Sequence, residues 1–158
     1  MKRDYPDRPI LGVGAVIIDD ERALLVRRAS EPLKGEWSIP GGALELGEGL
    51  RDGVCREVAE ETGLKVEAEE VLDVFDSIFT DEQGRTQYHY VLIDYLCRVL
   101  GGVAAAASDA AELKWITEAE LPLLDLRESV HRVLRKGFAS ARQHSAVTGN
   151  ATTAGGNK

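Results

Sequence analysis

Glu57, Glu60 and Glu61 stand at i, i+3 and i+4 along a stretch whose apolar residues Leu50, Val54 and Val58 recur every fourth position. No other stretch of the chain constrains its fold as tightly. The spacing predicts a helix over Leu50–Thr62, with Gly63 as a left-handed residue that ends it. At 3.6 residues per turn the three acids fall within an arc of about 100°, at the border of the apolar stripe. Like charges so placed oppose one another by about 0.2–0.5 kcal/mol per pair on an exposed helix, and by more when partly desolvated. Arg56 reaches Glu60 at i+4 but cannot neutralise three carboxylates. Either the acids are an ordinary solvated face, or they gather hard oxygen ligands for Mg²⁺ or Mn²⁺, ions that keep some waters and take phosphate oxygens. Gly53 inside this helix costs roughly 0.8–1.0 kcal/mol against alanine, which points to a close neighbour.

The segments around the helix read mainly as strands. Leu11–Ile18 and Ala23–Arg28 flank the turn-like Asp19-Asp20-Glu21-Arg22 and predict a hairpin. Gly12 and Gly14 invite a dinucleotide-fingerprint reading, but Ile17 holds the third-glycine position and a hairpin follows rather than a helix. Pro40-Gly41-Gly42 is expected to end regular structure. Strands are expected over Val71–Thr80, Thr86–Val99 and Leu113–Ile116, with Gly101-Gly102 breaking the second. Thr117-Glu118-Ala119-Glu120 has capping-box spacing, and a final amphipathic helix is expected from about Asp125 to Ala141. Arg127, Arg132, Arg135 and Lys136 on that helix read as a solvated face.

At 158 residues and 44% hydrophobic, the chain can bury a core without disulfides or a structural metal. It is expected to form one domain over 1–144, with a disordered tail over 145–158 of Gly, Thr, Ala and Asn. Two cysteines, Cys55 and Cys97, in no CxxC pattern suit a reduced, cytoplasmic protein. The opening residues lack the apolar run of a signal peptide, and Ile10–Ile18 falls short of the roughly 20 residues that span a bilayer. A net charge of −8 argues against nucleic acid and gives little support to an RNA-cap hydrolase, which would need a basic groove. An acidic chain can still hold a phosphorylated small molecule if divalent cations bridge the two.

From Gly42 the chain has five residues, Glu48, seven residues, then Arg56-Glu57-Val58-Ala59-Glu60-Glu61-Thr62-Gly63-Leu64. This resembles the Nudix box, G-x5-E-x7-R-E-U-x-E-E-x-G-U with U aliphatic, at every specified position. Trp37-Ser38-Ile39-Pro40-Gly41-Gly42 resembles its usual lead-in, and Tyr88-His89-Tyr90-Val91 is similar to the ADP-ribose pyrophosphatase branch. The resemblance implies an α/β (α+β) fold, an α/β/α sandwich with a mixed sheet. It implies an Mg²⁺- or Mn²⁺-dependent pyrophosphohydrolase acting on a nucleoside diphosphate-linked small molecule, ADP-ribose first, giving AMP and ribose 5-phosphate. A nucleoside triphosphate pyrophosphohydrolase is the alternative, and a non-catalytic nucleotide-sugar sensor a remoter one; a homodimer is compatible with either enzyme.

Carried over, Glu57 and Glu61 would be metal ligands, Glu60 a ligand or the base, and the carbonyl of Gly41 a further ligand. Glu48 would support the site or bind another ion, and Arg56 would orient the acids. A base on a later loop would be Glu112 or Asp109, with Asp81 and Glu82 as weaker candidates. Arg27 is preferred over Arg28 for the phosphates, the other reading being an edge-strand charge. Trp37 stacks on a base or packs in the core. Tyr88 and Tyr90 wall a nucleoside pocket or pack across strands. His89 and His131 take structural readings.

Overall fold

The computed structural model describes residues 2–153. β1 (Ile10–Asp19) turns through Asp20 and Glu21, both at positive φ, into β2 (Arg22–Arg28). Two short strands follow, β3 (Trp37–Ser38) and β4 (Gly41–Ala43), then α1 (Leu50–Thr62). β5 (Leu64–Thr80) and β6 (Thr86–Gly102) form a long hairpin, and β7 (Ala110–Thr117), a 3-10 turn (Leu121–Leu123) and α2 (Glu128–Thr153) complete the order.

The seven strands make one mixed sheet in the order β3-β2-β1-β6-β5, with β4 on β1 and β7 on β2. β1 and β6 run parallel, and the other pairs are antiparallel. Alternation along β1 divides the core. Val13, Ala15 and Ile17 pack on one face with Leu24, Val54, Val58, Tyr95 and Cys97, under α1. Val16 packs on the other with Ala23, Leu25, Ile116, Val130, Val133, Leu134 and Phe138, under α2. The architecture is therefore the expected α/β/α sandwich. Helix α1 has the expected bounds and ends on Gly63 at φ 73°.

Elsewhere the boundaries move. Gly41 and Gly42 do not end regular structure; they pair with Gly14 and Val13 as β4, where a backbone without Cβ can lie close to β1. β5 begins at Leu64, since Leu64, Val66 and Ala68 are buried in alternation with exposed Lys65 and Glu67. β6 continues through Gly101 and Gly102. α2 starts at Glu128 rather than near Asp125 and runs to Thr153, through most of the tail expected to be disordered; a nucleated helix extends at one hydrogen bond per residue. Residues 154–158 of that tail lie outside the described residues. Among the described residues no helix is long and apolar enough to cross a membrane.

Candidate active site

A cleft of about 450 Å³ opens where the β4–α1 loop faces β5, β6 and the start of α2. Arg56 organises its mouth. Its guanidinium forks onto Glu48, Nε to Oε2 at 2.6 Å and Nη2 to Oε1 at 2.9 Å. It also donates to Glu57 Oε1 at 2.8 Å, to Glu60 Oε2 at 3.3 Å and to the carbonyl of Ala43 at 3.1 Å. The fork holds the Glu48 carboxyl down to about 2. Gly53 explains itself here: a Cβ would lie 2.7 Å from Leu44 Cδ1 and 3.0 Å from Glu48 Oε1.

Glu57 and Glu61 are buried, whereas the Glu60 side chain is 48% exposed. Burial raises the Glu57 carboxyl despite Arg56. Burial pushes Glu61 up to about 8, the Gly41 N–H opposing it and the charges of Glu57 and Asp109 adding to it. Its one hydrogen bond is from the Gly41 N–H to Oε2 at 3.3 Å. A Cβ on Gly42 would collide with the Glu57 carboxylate. Backbone and acids therefore meet at the glycine pair because neither glycine has a side chain.

Among the described residues, no three His, Cys, Asp or Glu side chains form a cluster able to hold an ion. Arg56 draws Glu48, Glu57 and Glu60 to itself, and only Glu61 faces Gly41 without a cation. The donors present are hard oxygens with uncompensated negative charge, which fits a divalent ion of the Mg²⁺ type that takes its remaining ligands from backbone carbonyl, water and phosphate.

Asp109 reaches the cleft through a strap on the end of α1. Ala105 and Ala107 donate to the carbonyls of Thr62 and Glu61 at 2.9 and 3.0 Å, serving groups the helix leaves unpaired. Ser108 turns at φ 55°, and Ser30 Oγ donates to Asp109 Oδ1 at 3.0 Å. Glu112, the preferred later base, lies outside the cleft lining and pairs with Arg27 at 3.3 Å across β2 and β7. Neither side chain is brought into the cleft lining. A bulge between Arg27 and Arg28 breaks the alternation, and Arg28 lines the cleft, with Nε on the Pro32 carbonyl at 2.7 Å.

Trp37 is absent from the lining and packs at the margin of the α2-side core, with Lys114 Nζ 5.9 Å from its ring centroid. Tyr88 is also absent; it meets Phe79 edge-on at 6.1 Å, and Phe79 and Tyr90 line the cleft instead. Asp81 serves its turn, taking N–H groups of Gln83 and Arg85 and the Tyr5 hydroxyl. His131 contacts the Leu124 carbonyl at 3.1 Å. The basic face expected on α2 is engaged: Arg127 stands 5.2 Å from the Phe79 ring centroid and lines the cleft, and Arg132 and Lys136 pair with Asp73.

Sequence reasoning missed Arg3, Phe75, Phe79 and Asp94, all in the lining. Only Asp94 left a signal, as an acid inside the apolar run Val91 to Cys97.

Residues 8–137 match the NUDIX domain. The chain is 35% identical over 116 residues to an ADP-ribose pyrophosphatase of Methanocaldococcus jannaschii, covering 73% of this chain and 66% of that protein. It is 33% identical over 110 residues to a putative 8-oxo-dGTP diphosphatase of Bacillus subtilis, covering 68% and 66%. The chain spans about two thirds or less of the length of such curated relatives. The crystal structure of a MutT NUDIX hydrolase from Burkholderia pseudomallei superposes with a TM-score of 0.68 at 30% identity, covering 82% of this chain and 98% of that one. With the domain matched over most of its length and the box glutamates gathered at the cleft mouth, the chain belongs to the Nudix family.

Proposed function

We propose that the protein hydrolyses the diphosphate bridge of a nucleoside diphosphate derivative, ADP-ribose before others, to AMP and ribose 5-phosphate. One observation carries the reading: Glu57 and Glu61 are buried beside the Gly41–Gly42 backbone and raised in pKa, Glu57 sharing the one Arg56 guanidinium with Glu48 and Glu60, and Glu61 reached by no ion pair among the described residues. Buried acids left so are costly unless something cationic arrives. Glu57, Glu60, Glu61 and the Gly41 carbonyl would hold Mg²⁺ or Mn²⁺, with Glu48 anchoring Arg56 behind them. A divalent ion bound there would make water more acidic and offset the charge of the diphosphate.

The chain's own groups do the rest. Arg56 fixes the carboxylates in place through charge-assisted hydrogen bonds. Arg28 and Arg3 meet phosphate charge at the cleft. Glu60 or Asp109 accepts the proton of the attacking water, and the phosphoanhydride P–O bond breaks as the new P–O bond forms. The free thiols Cys55 and Cys97 are in keeping with a cytoplasmic setting.

Pure protein with Mg²⁺ should release AMP from ADP-ribose. Release of pyrophosphate from nucleoside triphosphates, with ADP-ribose untouched, would replace this reading with the triphosphate pyrophosphohydrolase, whose support is the relative named for 8-oxo-dGTP.

A further inference from the structure

Asp94 is 4% exposed and lies in the cleft lining, and among the described residues its carboxyl, which opens to the cleft, has no hydrogen bond or ion pair. Arg132, whose charge acts on it, is committed to Asp73 at 2.8 Å. Buried polar groups in folded proteins almost always have partners, so an unpartnered buried acid facing a cavity points to a ligand. The fold makes room for it. Gly14 is the register partner of Asp94 on β1, and a Cβ there would collide with Asp94 Oδ1. Gly12 stands in the same relation to Leu92, with a Cβ 2.6 Å from Leu92 Cδ2. The two glycines let the side chains of Asp94 and Leu92, with Ile39, lie close over β1 at the cleft floor. Leu92 and Tyr90 continue the Asp94 face of β6, and Phe75 on β5 adds an aromatic ring to the lining.

Gly14 also pairs with Gly41, so Asp94, Gly14 and Gly41 lie in one row across the sheet. Asp94 is thus two interstrand spacings, about 10 Å, from the glycine beside the box acids. One nucleotide covers that span from phosphate to base.

We propose that Asp94 reads the nucleobase: a base lies in the cleft against Leu92 and the Phe75 ring, and the Asp94 carboxyl accepts a hydrogen bond from its exocyclic amino group. The inference rests on the nucleotide reading above and names its specificity. A carboxyl complements the amino-bearing edges of adenine, cytosine and guanine. It opposes the uracil edge, where two carbonyls flank the single N–H. Burial and the charge of Asp73 push the carboxyl up to about 7, with Arg132 pulling the other way. Near neutrality it can therefore also offer a proton to the ring nitrogen beside an amino group.

The test is calorimetric binding of AMP and UMP, which needs no turnover, on the wild-type protein and on Asp94→Ala, which removes the acceptor where asparagine would keep one. The wild type should bind AMP about 10–100-fold more tightly than UMP, the range of a hydrogen bond to an ionisable partner. In Asp94→Ala the ratio should collapse toward unity. Equal binding of the two nucleotides by the wild type overturns the proposal, whether or not the variant folds. So does a variant that weakens both alike and keeps the ratio, since that is what a structural role or a contact to the shared ribose predicts. Absence of hydrolysis alongside a preserved AMP preference would sink the proposed reaction and spare Asp94.

Discussion

At the mouth of the cleft, Glu48, Glu57 and Glu60 surround Arg56, and the best-paired of them, Glu48, is held down to about 2. On the cleft floor Asp94 has no partner and is pushed up to about 7. Both regions are acidic and close to glycine backbone, yet one organises its own charge and the other waits for it. The difference comes from the elements that carry them. A helix with a neighbouring loop can bring a cation to its acids at short sequence distance. A central strand has only the strands beside it, and here the neighbour is glycine. Glu61 stands between the two cases, on the helix but facing Gly41 rather than Arg56.

The comparison would be tested hardest by Glu61→Gln. If that carboxylate completes an ion site, kcat should fall by roughly 10²–10³-fold, as when an enzyme loses one preorganised electrostatic contact. Stability of the metal-free protein should stay level below pH 8, where Glu61 already holds its proton, and rise above it, where a neutral amide replaces a buried charge. A large fall in melting temperature with activity retained would make Glu61 structural. Arg56→Lys comes next. Lysine cannot reproduce the fork onto Glu48 while also reaching Glu57, so activity should drop about 10–100-fold, the usual cost of disturbing groups that orient metal ligands. Melting temperature should fall with it. Lysine at full activity would mean that the arginine supplies charge alone.

The mouth was legible in the sequence because it is local. Glu48, Arg56, Glu57 and Glu61 lie within fourteen consecutive positions; helical periodicity groups Glu57, Glu60 and Glu61, and the roles of Glu48 and Arg56 came with the resemblance to the box. Even the cost of Gly53 foretold the close approach that Leu44 and Glu48 make. The floor was not legible. Asp94 gains its meaning from its register with Gly14, eighty positions away in the chain, and period-two alternation names a face without saying what lies opposite. The same limit hid that Arg27 and Glu112 pair with each other outside the cleft lining. Strict alternation favours neither Arg27 nor Arg28, and the bulge between them is a property of the β2–β7 pairing. The sandwich itself came with the resemblance to the Nudix box; the alternation of β1 and the apolar faces of the two helices agree with it.

A titration of stability compares the two regions without turnover. Glu61 keeps its proton in the fold up to about 8, against an ordinary value of 4.5, and Asp94 up to about 7, against 3.8. Between the ordinary and raised values the folded state binds protons that the unfolded chain has lost, so stability falls as pH rises. Glu48 runs the other way, but its contribution disappears only below about 4.5, outside this window. Metal-free protein should therefore melt lower at pH 8 than at pH 5.5, by roughly 10–20 °C. Mg²⁺ should restore the difference at pH 8 through the mouth acids, leaving the part due to Asp94. A flat profile in the absence of metal would deny that either acid is uncompensated.

The smallest effect concerns the two arginines that end β2. Arg28 lines the cleft, and its charge acts on Glu61 and Tyr90. Arg27 is outside the lining and pairs with Glu112, with side-chain exposures of 44% and 55%. An exposed pair of that kind contributes about 0–1 kcal/mol, so Arg27→Ala should shift melting temperature by a few degrees at most and leave KM within about twofold. Arg28→Ala removes a guanidinium from the wall that meets the phosphates. It should raise KM by roughly tenfold, the loss of one charge-assisted contact, while kcat, governed by the acids around Arg56, changes little. If the two variants behave alike, the bulge does not decide which arginine serves the substrate. If Arg27→Ala alone raises KM, the phosphate path runs along the β7 side of the sheet, and Glu112 returns as a candidate base.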